Sequence, residues 1–380
     1  MPPNEEPGRR VWFNPAAHDL VVAGAPASVP AFHRQLDGYA PTPLVELPGI
    51  ATELGVGRLF AKDESARLGL PAFKVPGVSY AVAMVLGQRL GLPSSDLSLP
   101  RLRDALIDQP PVEIVTATDG NHGRALARIA AQLGLPARII VPAVLTDETV
   151  GAIRAEGATV IVVPDDYDAA VQVAASAVVG REDALLIQDT AWPGYERVPQ
   201  WIVDGYATLF REIDDQLGCL GITGAALVSV PVGVGSLAQA AVTHYRHEPG
   251  GTRTTVLAVE PDTAACVRAS LDAGRITAIS TGRTVMNGLN CGTPSSLAWP
   301  LLRDGLDAAV VVSDEEAERA MRDLAAVGVG AGPSGAAALA GLRRLLSTPG
   351  WWGAGDQPFD PAAASIVLIS TEGPTGPASG

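Results

Sequence analysis

The chain has 380 residues, 47% of them hydrophobic and 18% charged, and 41 acids against 27 bases give a net charge of -14. At one domain per ~150 residues this is enough for about two globular domains with a sizeable core. So acidic a balance argues against nucleic acid and membrane surfaces as partners, because both select basic patches. The cysteines Cys219, Cys266 and Cys291 are odd in number and far apart, which fits reduced thiols in the cytoplasm and not a disulfide framework. The apolar stretch 20–32 is interrupted by prolines and follows no basic segment, so no signal peptide is expected, and no run approaches the length of a membrane-spanning helix.

Residues 1–40 read as an N-terminal extension with weak periodicity. Further on, strands and helices alternate. A β-rich run at 113–118 precedes helical spacing over 121–134, with Leu126, Ile129, Ala130 and Leu133 on one face. Strands follow at 137–142, 159–164 and 184–188, separated by helices at 148–157 and 167–179. Later strands are expected at 225–231, 255–259, 308–312 and 365–370. Parallel strands need a crossover, usually a helix, so this order predicts α/β architecture with parallel sheets. The Ile-Ile-Val and Val-Ile-Val-Val runs suit strands covered on both faces. The expected division is a small α/β domain at 113–190 and a large domain from 41–112 and 191–380.

Four stretches carry chemistry. Val232-Gly-Val-Gly-Ser-Leu237 follows a strand and opens a helix. Its glycines let backbone approach an anion, and the helix start offers free N–H groups. No Lys follows, so it is not a nucleotide-hydrolase loop, and it is too short for a dinucleotide fingerprint. A tight strand–helix turn would use the same glycines. Thr118-Asp-Gly-Asn-His-Gly123 also joins a strand to a helix. Capping by Asp119 or Asn121 explains one polar residue, but not Asp, Asn and His together between glycines. In Gln188-Asp-Thr-Ala-Trp192, Asp189 either turns the chain or projects a carboxylate from a strand end. Lys74 lies among apolar residues in Pro71-Ala-Phe-Lys-Val-Pro-Gly77. It is either a snorkelling surface lysine or a desolvated amine with a lowered pKa, ready to attack a carbonyl.

These stretches, in order over about residues 40–376, resemble the fold-type II pyridoxal 5'-phosphate (PLP) enzymes, the superfamily of the tryptophan synthase β-subunit and threonine dehydratase. Within it the match is close to the diaminopropionate ammonia-lyase family. The residues that carry it are Pro41-Thr-Pro-Leu44, Lys62-Asp-Glu-Ser65, Ala72-Phe-Lys-Val75 with Gly77, Thr116 to Gly123 and Gln188 to Trp192. Met286-Asn-Gly-Leu289 with Cys291-Gly292, Gly332-Pro-Ser-Gly335 and Ser370-Thr-Glu-Gly373 complete the set. The resemblance implies two three-layer α/β domains with mostly parallel sheets, the larger one binding PLP, and a homodimer acting on a small amino acid, with no metal. Lys74 is then the Schiff-base lysine, and Gly233, Val234, Gly235 and Ser236 hold the cofactor phosphate. Asn121 hydrogen-bonds the ring hydroxyl, and Ser370 or Thr371 faces the pyridine nitrogen.

Asp119 and Asp189 match the family carboxylates that handle substrate protons. Serine and threonine dehydratases usually carry Ser where Asp119 stands. A carboxylate there suits a substrate with a second ammonium group. The implied reaction is elimination of ammonia from 2,3-diaminopropionate, giving pyruvate and ammonia by way of aminoacrylate. Asp189 takes the Cα proton of one enantiomer and Asp119 that of the other, with Lys74 a further base for the L-substrate. The alternatives are a dehydratase or β-replacement enzyme for another β-substituted amino acid, or a PLP-fold protein that binds an amino acid without turnover.

Some positions depart from the family pattern. Pro76 and Val78 flank Gly77 where a small pair is common, and Pro76 is expected to stiffen the turn after the lysine helix. Asn287 and Asn290 could reshape the substrate pocket. His244 and His247 are spaced for a helix but read as a solvated face and not a metal site. His122 reads as packing at a helix start, and Cys291 as a small buried residue. Trp192, Trp201 and the pair Trp351-Trp352 read as packing or dimer contacts.

Overall fold

The β-branched runs become two sheets in the computed structural model, which describes residues 11–164, 166–247, 253–349 and 360–374. Trp351 and Trp352 lie outside the described residues. In chain order the strands are β1 (Val11–Phe13), β2 (Leu44–Glu46), β3 (Arg58–Asp63), β4 (Glu113–Ala117), β5 (Ala137–Pro142) and β6 (Thr159–Val163). Then come β7 (Ala184–Leu186), β8 (Leu227–Pro231), β9 (Thr255–Pro261), β10 (Ala308–Val312) and β11 (Ser365–Ser370). Every strand expected from the alternation is present, with ends within two residues. The fold is mixed α/β with mostly parallel sheets, as the strand–helix order requires.

One sheet has the order β6-β5-β4-β7 and is parallel throughout. The other has the order β1-β10-β9-β8-β11-β3-β2, and only its short edge strands β1 and β2 run antiparallel to their neighbours. Its core joins Leu59, Leu227, Leu257, Val259, Val310, Ile366 and Leu368 to Ala336, Leu339, Leu342 and Leu345 of the helix Pro333–Leu346. Each Leu or Ile so buried contributes about 1.5–3 kcal/mol relative to exposure. Pro333 opens that helix where its missing N–H costs nothing.

The chain divides into two compact units. The seven-stranded one draws on 1–25, 41–73 and 209–380, and the four-stranded one on 26–40 and 74–208. This differs from the expected division in three ways. Residues 74–112 join the four-stranded unit because the helices Lys74–Leu90 and Leu99–Leu106 pack on the helix Asn121–Leu133. Residues 191–208 join it as well. The expected extension is built into the fold: Val11–Phe13 pairs with β10, and Pro26–Ala40 belongs to the four-stranded unit. Three apolar residues in a row are too few to register as a period.

Strand register sets where loops emerge. In the four-stranded unit Val115 pairs with Leu186, so the segments after β4 and β7 leave neighbouring parallel strands at the same carboxyl edge. These segments carry Asp119 and Asp189. In the seven-stranded unit Leu368 pairs with Ser229, which sets Ser370 level with Pro231, just before the glycine loop. Carboxyl edges of parallel strands are where open α/β sheets bind ligands.

Candidate active site

Lys74 is the first residue of the helix Lys74–Leu90, whose next nine residues are all buried. Such a helix is apolar on all sides, which is why no amphipathic stripe marks it in the sequence. Pro76 lies in the first turn of this helix and not after it, as expected from the sequence; there its missing N–H breaks no intrahelical bond. Side chains of a helix point back toward its N-terminus. The Lys74 Nζ donates to Asp189 Oδ2 at 2.8 Å, and the two side chains are 16% and 6% exposed. This is no snorkelling surface lysine.

The electrostatics correct the expected direction. Burial does push the Lys74 amine down, but the Asp189 carboxylate, with Asp119 adding to it, outweighs burial and holds Lys74 protonated well above its ordinary value. Burial likewise pushes Asp189 up, yet the Lys74 charge dominates and holds the carboxyl well below the usual range. The pair stands as ammonium and carboxylate. In this state Lys74 must give up a proton before its amine can attack a carbonyl.

Asp189 is held from its other side. The Tyr167 hydroxyl donates to its Oδ1 at 3.2 Å, and Gln188 Nε2 donates to the Tyr167 oxygen at 2.9 Å. His122 donates from Nε2 to the Ile187 carbonyl at 2.8 Å, which leaves Nδ1 deprotonated, 3.7 Å from Asp189 Oδ2. Burial lowers the His122 pKa, so the ring is neutral. Its place is packing at a helix start, as the sequence implies.

The capping expected of Asp119 or Asn121 falls to another residue. The Thr118 hydroxyl accepts from Gly120 N at 2.9 Å and Gly123 N at 3.0 Å. Gly120, at φ +137°, makes the turn that L side chains rarely allow. Asp119 precedes it, and its charge acts on Lys74 and Tyr206. Asn121 is half-buried as the first residue of its helix. Lys74, Asp119, Asn121 and Asp189 thus share one unit, with Lys74, Asp119 and Asp189 electrostatically coupled.

Tyr206 is a residue the sequence reading missed. It lies in the helix Arg197–Cys219 and is 1% exposed. A Cβ on Gly77 would meet its ring at 2.5 Å, so Tyr206 packs against the helix one turn beyond Lys74. A Cβ on Gly205 would meet the Pro76 carbonyl at 2.5 Å, so the two helices cross with backbones nearly touching. Burial raises the Tyr206 phenol, which keeps it neutral. Its apolar spacing with Ile202 and Phe210 reads simply as core, and the available signal was a glycine inside each helix.

The remaining predicted residues lie in the seven-stranded unit. Gly233, Val234 and Gly235 lead from β8 into the helix Ser236–Tyr245. A Cβ on Gly235 would meet Leu302 at 2.6 Å, and one on Gly233 would meet the Cys291 sulfur and the Gly288 carbonyl at 3.1 Å. The loop is therefore bare backbone at a ten-residue helix N-terminus, which fits a phosphate. Ser370 ends β11 and Thr371 follows it, both buried, and the Thr371 carbonyl accepts from Phe73 N at 3.1 Å. The hydroxyls of Ser370 and Ser334 are buried with no hydrogen-bond partner among the described residues. Such a hydroxyl has a hydrogen bond to offer, and the Ser370 hydroxyl at the end of β11 fits a heteroaromatic ring nitrogen. Glu372 accepts from Ser334 N at 3.2 Å.

Other readings resolve simply. Cys291 is buried beside Gly233. His247 is exposed, and His244 is half-buried and pairs with Asp214 at 2.6 Å. Trp192 stacks on Tyr195 with ring centroids 4.5 Å apart.

Comparison with known proteins agrees with this chemistry. Residues 35–355 match the family described as pyridoxal-phosphate dependent enzyme. The chain is 35% identical to the diaminopropionate ammonia-lyase of Salmonella typhimurium over 380 residues, covering 97% of this chain and 94% of that protein. It resembles the crystal structure of Escherichia coli diaminopropionate ammonia lyase in complex with D-serine, with TM-score 0.84, 32% identity and coverage of 96% and 94%. The same E. coli enzyme in complex with an aminoacrylate-PLP azomethine reaction intermediate matches with TM-score 0.80, 31% identity and coverage of 96% and 93%.

Proposed function

The chain belongs to the pyridoxal-phosphate dependent enzymes, and from that premise we propose that it eliminates ammonia from 2,3-diaminopropionate. The products are one pyruvate and two ammonia per substrate and water. The observation that carries this reading is the pair of carboxylates, Asp189 and Asp119, both acting on the Lys74 ammonium. One such carboxylate serves proton transfer at any amino acid. Two suit a small substrate that itself brings two ammonium groups.

Lys74 would hold the cofactor through its amine, Asn121 would meet the ring hydroxyl, and the backbone of Gly233, Val234, Gly235 and Ser236 would take the phosphate. Ser370 or Thr371 would face the ring nitrogen. The unpartnered Ser370 hydroxyl favours Ser370. When bound, PLP supplies a sink for the electrons left at Cα. The chain's own residues move the protons. Asp189, held ionised, can accept the Cα proton of one enantiomer, and Asp119 that of the other or pair with the β-ammonium. Lys74 becomes a base for the L-substrate only after its own proton has left. The β-nitrogen departs as neutral ammonia, so no separate acid is needed for it.

We place the enzyme in the cytoplasm as a homodimer. No helix among the described residues is long and apolar enough to cross a membrane. Static light scattering on the purified protein tests the dimer.

The function is tested by supplying L- and D-2,3-diaminopropionate separately, and L-serine in parallel, and measuring pyruvate and ammonia. The reading expects a 1:2 ratio from the diamino acid, lost in Lys74→Ala together with the visible absorption of bound cofactor. Asp189→Asn and Asp119→Asn should each depress one enantiomer more than the other. Pyruvate from serine but none from diaminopropionate would mean a dehydratase, and no visible band after PLP is added would sink the cofactor assignment.

A further inference from the structure

We propose that Tyr167 and Gln188 are positioning residues that fix how Asp189 presents its two oxygens. The inference rests on the reading of Asp189 as the base for one enantiomer.

The argument is one of hydrogen-bond direction. The Ala117 N–H of β4 can only donate, and it lies 2.9 Å from the Gln188 side-chain oxygen Oε1. That contact settles which end of the Gln188 amide is oxygen and which is nitrogen. Nε2 can then only donate, and it reaches the Tyr167 oxygen at 2.9 Å and Asp189 Oδ1 at 3.3 Å. With that donor on its oxygen, the single Tyr167 proton points to Asp189 Oδ1 at 3.2 Å. Oδ1 therefore faces two donors, while Oδ2 faces Lys74 Nζ at 2.8 Å. Gln188 is fully buried, so its amide has no solvent alternative. The chain runs one way from the β4 backbone to the carboxylate.

Two consequences follow. The carboxylate cannot spin about its Cβ–Cγ bond without breaking both donors, so Oδ2 stays aimed at the reacting side. And donors to an ionised carboxylate lower its proton affinity, so Tyr167 helps keep Asp189 ionised at low pH. The charged or titratable groups that act on Asp189 are Lys74, His122, Tyr167, Tyr195 and Tyr206, from four helices and the segment after β7. Tyr167 is the one that donates to Oδ1. Nothing in the sequence marks it, since it simply opens its helix directly after the Asp166 cap.

The test uses the PLP-loaded enzyme and Tyr167→Phe, which keeps the ring and removes only the hydroxyl, with Gln188→Leu as a second variant. kcat and KM are measured for each enantiomer across pH, beside Asp189→Asn. Residues that orient a reacting group through a hydrogen bond matter by about 10–100-fold at metal sites, and the same order is expected here. The expected result is a fall of about 10-fold or more in the ratio of kcat/KM between the Asp189-dependent enantiomer and the other. It should appear in kcat rather than KM, with the acid limb of the affected profile moved up in pH. Equal losses on both enantiomers, or an unmoved acid limb, would overturn the proposal and leave Tyr167 as packing. If Asp189→Asn spares both enantiomers, the base reading itself fails, and the positioning role with it. If Asp189→Asn is selective but Tyr167→Phe is not, only the positioning role fails.

Discussion

Lys62 and Lys74 each hold an ammonium beside a buried carboxylate, 2.7 Å from Glu212 and 2.8 Å from Asp189. Lys62 is fully buried and donates to three acceptors: the Thr42 carbonyl at 2.8 Å, Glu212 at 2.7 Å and Gln216 at 2.9 Å. Three protons meet three acceptors. Arg67, also fully buried, bridges Glu64 and Glu212, so two cations and two carboxylates close a neutral cluster inside the seven-stranded unit. Burial, with repulsion from Arg67, lowers the Lys62 amine. Lys74 keeps some exposure, begins its helix, and is raised by Asp189 against burial. The two pairs have nearly equal lengths and different uses. The Lys62 cluster is saturated and closed, whereas the Lys74 pair leaves part of the Lys74 side chain exposed, as the proposed cofactor site needs. Distance alone does not separate a structural ion pair from a chemical one.

The largest expected effect comes from exchanging the two roles. Lys74→Ala should lower pyruvate formation by roughly 1,000-fold or more, while Asp189 keeps the Tyr167 and Gln188 donors and stability falls little. Lys62→Ala should do the reverse. It leaves Glu212 and Glu64 against a single cation, and breaking a buried pair costs about 3–5 kcal/mol, read by chemical denaturation. If Lys62→Ala keeps full stability and loses turnover, the comparison is broken.

Next in size is Gly77→Ala. A Cβ there meets the Tyr206 ring at 2.5 Å, and forcing atoms into a packed interior costs about 1–3 kcal/mol. Because Gly77 lies one turn past Lys74, cofactor absorbance and turnover should change as well, unlike in Lys62→Ala. The double variant Gly77→Ala with Tyr206→Phe should not recover, since the clash is with ring carbons.

The smallest effect is in acid. Burial raises Glu212, but Arg67 and Lys62 outweigh it and bring the folded pKa down to about 2, from an ordinary value of 4.5. A depressed carboxyl contributes stability that is complete above its unfolded pKa and lost as pH falls toward its folded one. Stability should therefore decline between about pH 4.5 and 2, and Glu212→Gln should flatten that part of the curve. A slope unchanged in the variant would assign acid loss to other carboxyls.

Much of this was legible in the residues. Alternating Ile and Val runs placed the strands to within two residues, because burial on both faces demands apolar, β-branched side chains. The Thr118 to Gly123 and Gln188 to Trp192 stretches, both at strand ends, pointed to Asp119 and Asp189, since a parallel sheet collects such ends at one edge. Lys74 was found through its apolar flanks and its place in a family pattern. Its charge state was not, because the sign depends on a carboxylate 115 residues away. The unit boundary also escaped: a helix apolar all round gives no face to say which sheet it covers.

What the sequence determined by itself is therefore the class of fold, through local period, and the family, through motifs that resemble it in order. Tertiary structure alone decided the contacts of Tyr167, Gln188 and Tyr206, the saturation of Lys62, and the protonation of Lys74. Each depends on which donor, acceptor or charge comes within hydrogen-bond or Coulomb range across long separations in the chain. Those interactions fall off within a few ångströms and leave no trace in residue order.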